Sequence, residues 1–293
     1  MPATEAIALR PALTPGQKAL RSLYTNPRTM TALAIIVLML LFALTANLIA
    51  PYGYGEQLRG NELKAPGSGF LFGTDNFARD IFSRVMYGAQ ISLVVSLAAT
   101  TLSLFIGVSV GLVAGYMGGK IEAALMRLTD TVSAFPSILL AVAITSLFEK
   151  PSIAILFVAL GVVGWTGIAR VVRSQVLVVR TLDYISAARA LGAGNLRIMF
   201  RHVLPNCISP IIVIATLSIG GNILGEAGLS FLGLGVQDPF PSWGGMLSES
   251  RAYFQKSWWM AVFPGMAIVL TVLSFNLLGD GLRDALDPKK GRI

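Results

Sequence analysis

Six stretches of this chain each run for 18 or more residues without a charged side chain: Met30–Ala50, Ile91–Tyr116, Thr131–Phe148, Ser152–Ala169, Cys207–Gly225 and Ser257–Gly279. About 20 helical residues cross a hydrocarbon core of about 30 Å, and a segment in lipid must satisfy its own backbone polar groups. The pattern predicts an all-α polytopic membrane protein with six transmembrane helices. A composition of 54% hydrophobic and 13% charged residues excludes an ordinary soluble domain. Residues 1–28 are polar, carry Pro2, Pro11, Pro15 and Pro27, and read as a flexible or surface-lying tail. The apolar run after them is too long and too far along for a cleavable signal, so it reads as an anchor that stays.

The net charge of +8 raises the question of nucleic acid, and its distribution answers it. On one side of the predicted spans lie 16 Lys and Arg: Arg10, Lys18, Arg21, Arg28, Lys120, Arg127, Arg170, Arg173, Arg180, Arg189, Arg197, Arg201, Arg283, Lys289, Lys290 and Arg292. The other side holds 7: Arg59, Lys64, Arg79, Arg84, Lys150, Arg251 and Lys256. This bias places the first side, with both termini, in the cytoplasm. The excess charge is thus a topology signal, and a nucleic-acid role loses its support. One cysteine, Cys207, and one histidine, His202, leave no internal disulfide and no His/Cys cluster for a metal.

The expected divisions are a cytoplasmic tail 1–28, a first transmembrane helix 29–50, an extracytoplasmic loop 51–90, a core 91–280 with five transmembrane helices, and a cytoplasmic tail 281–293. Glu149-Lys150-Pro151 reads as a tight turn between the third and fourth spans. Pro136 and Pro264 fall inside spans, where each removes a backbone hydrogen bond and permits a bend. Gly118-Gly119-Lys120 resembles a phosphate loop only in passing. Ala114 stands where a P-loop needs glycine, and Ile121 where it needs Ser or Thr. The chain is expected to bind no ATP and no other cofactor itself.

Within the core, the loop 170–206 is polar and arginine-rich. Tyr184, Ala187, Ala188 and Leu191 fall at i, i+3, i+4 and i+7, so a helix begun at Asp183 carries a small apolar stripe. Asp183 suits its first turn and Gly192 its end. A second helix, with Arg197 and Arg201 four apart, is expected to stop at Pro205. A docking surface and an inert connector are equally compatible with these residues.

Three further stretches stand out. Phe72-Gly-Thr-Asp75, Arg79-Asp80, Ser83-Arg84 and Tyr87-Gly88-Ala89 pair acids with bases at helical spacing, which predicts an amphipathic helix at the membrane interface. Glu226, with Asn222 four residues before it in a glycine-rich run, is a costly charge beside an apolar span. It reads either as a structural carboxylate or as part of a substrate path. Asp238-Pro-Phe240-Pro-Ser-Trp243 reads either as a loop cap or as a surface facing a partner.

The polar loop resembles the "EAA" loop of ABC importer permeases: Glu-Ala-Ala, three residues, Gly, nine residues, Ile-x-Leu-Pro. Here it reads Ser186-Ala187-Ala188, then Gly192, then His202-Val203-Leu204-Pro205. Ser186 and His202 replace the family's glutamate and isoleucine, as in the dipeptide/oligopeptide/nickel branch. The same branch is resembled by the Gly-Thr-Asp block from Gly73, with Ala78 for its glycine, by Glu226-Ala-Gly-Leu-Ser-Phe-Leu-Gly-Leu-Gly235, and by the ending Asn276 to Pro288. The resemblance spans about residues 70–290 and implies the type I importer permease fold. It also implies a homologous second permease, two ABC ATPase subunits carrying ATP and Mg, an extracytoplasmic solute-binding protein and a bacterial inner-membrane location. Residues 183–205 would then couple to the ATPases, and peptide is the expected solute, with nickel, opines or oligosaccharides as alternatives. A self-sufficient secondary transporter would place ionisable groups near the midplane or show inverted repeats. A membrane enzyme would need facing catalytic groups. The sequence offers neither.

Overall fold

A computed structural model describes residues 25–67, 69–149 and 152–286. The tail before residue 25, Lys150 and Pro151 of the expected turn, and Asp287 and Pro288 of the ending lie outside the described residues. The helices are α1 (Pro27–Ile49), α2 (Ile81–Met117), α3 (Gly119–Ser133), α4 (Ser137–Thr145), α5 (Ile153–Val179), α6 (Asp183–Ala190), α7 (Asn195–Ile198), α8 (Ile208–Phe231), α9 (Trp243–Ser250) and α10 (Trp259–Leu286). Among the described residues the only β pairings are two isolated bridges. Five helical segments are long and apolar enough to cross a membrane, and the bent pair α3–α4 makes a sixth if counted as one span.

Charge-free length underestimates the spans wherever a charged side chain is paired on a helix. α2 starts at Ile81 rather than Ile91, because Asp80 caps it by accepting from the Ser83 N–H at 2.8 Å and Arg84 in its first turn is buried. The segment 72–80 is therefore not an interfacial helix. It is a set of turns with positive φ at Gly73 and Ala78. α5 runs on through Arg170 and Arg173 to Val179, and α10 runs through Pro264 and past residue 281 to Leu286. The third span is not straight either. Its two helices meet near Pro136 at 81°. Pro205 does not stop the second hairpin helix. α7 passes through a π-helical turn (Met199–Val203) and a 3-10 turn (Leu204–Cys207) directly into α8, which continues beyond Gly225 to Phe231.

The tightest seam joins α2 to α5. A Cβ on Gly107 would lie 2.7 Å from Ile168 Cβ, one on Gly111 2.5 Å from Ala169 O, and one on Gly115 2.7 Å from Val176 Cβ. Glycines four apart let two backbones approach closely. In lipid, where apolar burial gives helices no net attraction, that van der Waals contact stands in for the hydrophobic effect. Ser103 Oγ donates to Gly161 O at 2.9 Å in the same seam. The repeat Gly107, Gly111, Gly115 is visible in the sequence as a small-residue face with a period of four.

Candidate functional site

The hairpin begins where Asp183 opens α6, and the helix ends as Gly192 takes φ +81°. The Ala193 N–H donates to Ala188 O at 3.1 Å and the Gly192 N–H to Arg189 O at 3.0 Å. These two bonds form a Schellman closure, which needs a left-handed residue at this point. The structure thus places the helix start, the glycine joint and a short second helix where the sequence puts them.

The hairpin stands on an apolar foot. Ile185, Ile198, Met199 and Val203 are buried against Leu112 and Tyr116 of α2 and Val172, Val176 and Val179 of α5. Tyr116 Oη donates to Asn195 Oδ1 at 3.1 Å, Arg180 Nη1 donates to Gly115 O at 2.7 Å, and the Arg189 guanidinium lies 6.0 Å from the Tyr116 ring centre. Ile185 and Ile198 were not among the expected hairpin residues. Their signal is an apolar side chain on the face opposite the stripe. Nearby, Arg173 forks onto Glu122 of α3, and Arg170 reaches Asp130 at 2.9 Å.

The stripe itself points away from the body. Tyr184, Ala187 and Leu191 are exposed, Leu191 by 88%, while Ala188 is half-buried over the foot. Asp183, Ser186, Arg189, Gly192, Arg197, Arg201 and Pro205 are exposed, and His202 and Leu204 half-buried. Leu196 and Phe200 extend the exposed apolar face. A buried apolar foot thus carries an exposed face that is apolar and basic.

At the opposite end of the bundle the acids and bases of the 72–84 stretch converge. Arg79 Nε lies 2.5 Å from Asp75 Oδ2, its Nη1 2.9 Å from Asp238 Oδ1, and its Nη2 2.8 Å from Glu249 Oε2. Arg84 Nη2 lies 3.0 Å from Glu249 Oε1. Burial pushes the Glu249 carboxyl above its ordinary value, with Arg84 and Arg79 opposing the shift. Burial also works against the charge on Arg79, but Glu249 and Asp75 outweigh it and hold that guanidinium above its usual value.

The three expected partner-contact residues separate here. Asp238 and Phe240 are half-exposed, but Trp243 is 0% exposed. It is a core residue whose Nε1 donates to Val85 O at 3.0 Å and whose own N–H donates to Ser92 Oγ at 3.3 Å. The physical reason is its place at the start of α9, where Ser242 caps the helix and turns the indole inward. Trp243→Ala is expected to cost about 3–5 kcal/mol, read as earlier thermal unfolding in detergent.

Glu226 and Asn222 sit in helix contacts. Glu226 is buried, with Oε2 accepting from Ser92 Oγ at 2.9 Å and Oε1 from Ser230 Oγ at 2.7 Å. Asn222 Nδ2 donates to Thr100 Oγ1 at 2.8 Å. Neither lines the two larger hollows. One, of about 1090 Å³, lies at the end opposite the hairpin between Ser146, Phe148, Ser152 and Ala154 on one side and Gly233, Asp238 and Phe240 on the other. The other, of about 470 Å³, lies towards the hairpin end between α5, α8 and α10, with Gln175, Ser209 and Arg283 as its polar members. Among the described residues no group of His, Cys, Asp or Glu could hold a metal.

Comparison with known proteins agrees with this architecture. Residues 107–292 match the family described as binding-protein-dependent transport system inner membrane component. Residues 14–66 match the N-terminal transmembrane domain of oligopeptide transport permease C. The chain is 46% identical to the dipeptide transport system permease protein of Alkalihalophilus pseudofirmus, over 95% of this chain and 91% of that one. It is 43% identical to the di/tripeptide transport system permease protein of Pseudomonas aeruginosa, over 90% and 89% of the two chains. It is also 43% identical to the glutathione transport system permease protein of Pectobacterium atrosepticum, over 87% and 84%.

Proposed function

From the premise that this chain belongs to the binding-protein-dependent transport system inner membrane components, we propose that it forms, with a second homologous permease, the path by which di- or oligopeptides enter the cell. The chain is a multi-pass inner-membrane permease and a transport subunit rather than an enzyme. Partner ATPases and a solute-binding protein belong to the family's mode of action. In our reading there are two ATPase subunits, they carry the ATP and Mg, and this chain binds neither. Peptide is favoured over nickel, opines or oligosaccharides by relatives named for dipeptides, di- and tripeptides and glutathione, itself a tripeptide.

The observation that carries the reading is the hairpin. Its exposed stripe at Tyr184, Ala187 and Leu191 stands on the foot formed with α2 and α5. The bias of Lys and Arg supports a cytoplasmic hairpin and cytoplasmic termini. When the ATPases close on ATP, the foot passes their displacement into α2 and α5, and the continuous π and 3-10 turns pass it into α8. Asp183, Ser186, Arg189, Gly192, Arg197, Arg201 and the half-buried Ala188, His202 and Leu204 shape this docking unit, with Pro205 at its junction to α8. Glu226 and Asn222 support the path by fixing α8 against α2, and Asp238 and Phe240 face the solute-binding protein.

In the assembled complex, with Cys207 replaced by Ser, Ala187→Cys should cross-link to an ATPase subunit, and the yield should change on adding ATP. If neither Ala187→Cys nor Leu191→Cys reaches an ATPase, the docking assignment fails. Stimulation of the complex's ATPase by binding protein loaded with a dipeptide, and not by nickel or an oligosaccharide, tests the solute.

A further inference from the structure

The segment 232–242 joins α8 to α9 at the end opposite the hairpin, and it is fixed at its root and lightly held at its tip. At the root, the Gly233 N–H donates to Ser230 O at 3.0 Å and the Leu234 N–H to Leu229 O at 2.9 Å. Leu234 and Val236 pack on the cluster of Val95, Leu156 and Leu229. The tip, residues 237–240, is exposed. The tip is held to the body by Asp238, which pairs with Arg79 at 2.9 Å and with Arg84 at 3.9 Å, by Pro239 beside Gly55, and by the Phe240 ring stacked on Tyr54 with centroids 5.5 Å apart.

This tip is a partition. Gln237, Asp238 and Phe240 line the hollow of about 1090 Å³ on one side. They also line a second hollow, of about 160 Å³, whose wall includes Arg84 and Glu249. The charges around it are unequal in their need for one another. Arg79 and Arg84 are balanced by Asp75 and Glu249, and the side chains of Arg79, Arg84 and Asp75 are 5% exposed or less. Asp238 is a fifth charge, and its side chain is 55% exposed. Breaking any of the buried pairs would strand a charge away from water, at a heavy cost. Releasing Asp238 leaves the other four neutral among themselves and gives up only the contacts of Arg79 and Arg84 to a carboxylate that is itself 55% exposed.

We propose that residues 237–240 are a latch with Asp238 as its catch, and that release from Arg79 and Arg84 joins the two hollows and admits solute at this mouth. The proposal rests on the reading of the chain as a permease. In the full complex lacking Cys207, Gly55→Cys with Pro239→Cys, whose Cβ atoms would lie 3.5 Å apart, allows the tip to be bridged by a disulfide and freed by reduction. Bridging should abolish uptake and reduction should restore it. Undiminished uptake by fully bridged complex would overturn the latch, while uptake by the reduced form tests the permease reading separately. A second measurement needs no transport. Ser248→Cys, in the wall of the smaller hollow, should react with a membrane-impermeant maleimide about threefold or more faster when Asp238→Asn is added. An unchanged rate would remove Asp238 as the catch. Asp238→Asn keeps the shape of the side chain and leaves the buried four intact, so loss of folding is not its expected effect.

Discussion

Gly111→Leu is expected to remove most of the folded protein from the membrane. The new Cβ would lie 2.5 Å from Ala169 O, 2.8 Å from Val172 Cβ and 3.1 Å from the Arg173 nitrogen. Two of those three are backbone atoms, so no rotamer change relieves the contact, and α2 and α5 have to separate. Overpacking a core usually costs about 1–3 kcal/mol. Here the cost should reach or exceed the upper figure, because separation also opens the Gly107 and Gly115 contacts and the Ser103 bond on the same line. Each ~1.4 kcal/mol is a factor of ten in an equilibrium constant, so the unfolded-to-folded ratio should rise by about two orders of magnitude, read as a loss of monodisperse protein in detergent. Gly167, on the same helix α5, has nothing within 4 Å of its would-be Cβ, and Gly167→Ala should leave recovery unchanged. Equal recovery of Gly111→Leu and Gly167→Ala would show that the seam does not decide stability.

The second large effect is functional. Gly192→Val should reduce uptake to background while the protein still inserts and folds. Nothing lies within 4 Å of the position where a Cβ would sit, so the substitution makes no clash. Its effect comes from φ +81°, a region that a β-branched residue resists. The Schellman bonds from Gly192 and Ala193 would open and the stripe would turn away from its docking direction. The buried foot at Ile185 and Ile198 holds the rest. Gly192→Asn, which tolerates the left-handed region, should keep part of the activity. Full uptake by the valine variant, at normal protein level, would remove the hairpin from the coupling path.

How far the sequence reaches depends on what each feature requires. The spans are legible because lipid demands apolar length, and the hairpin is legible because Asp183 and Gly192 mark helix ends by local chemistry. What fails is whatever depends on a distant partner. Arg84 looks like the end of an apolar run, yet Glu249, 165 residues on, pairs with it and lets α2 begin ten residues earlier. Trp243 sits in a proline-rich stretch and suggests a surface, yet the Val85 carbonyl and Ser92 hydroxyl draw it inside. Pro136 announces a bend, but not its size, which is 81° between α3 and α4. The glycine repeat of α2 is the instructive miss. Its period of four stands in the sequence, but the surface it packs against, Ile168, Ala169 and Val176 of α5, is a distant partner like the others.

The unbroken run from Asn195 to Phe231 has a consequence for how this protein can vary. Surface connections usually tolerate insertions because slack absorbs them. Here the hairpin is keyed to α8 as a crank is keyed to its shaft. Adding or deleting a single residue between Met199 and Cys207 would turn the crank by about 100° about the axis of the span. Residue count in this stretch is therefore fixed more strictly than residue identity.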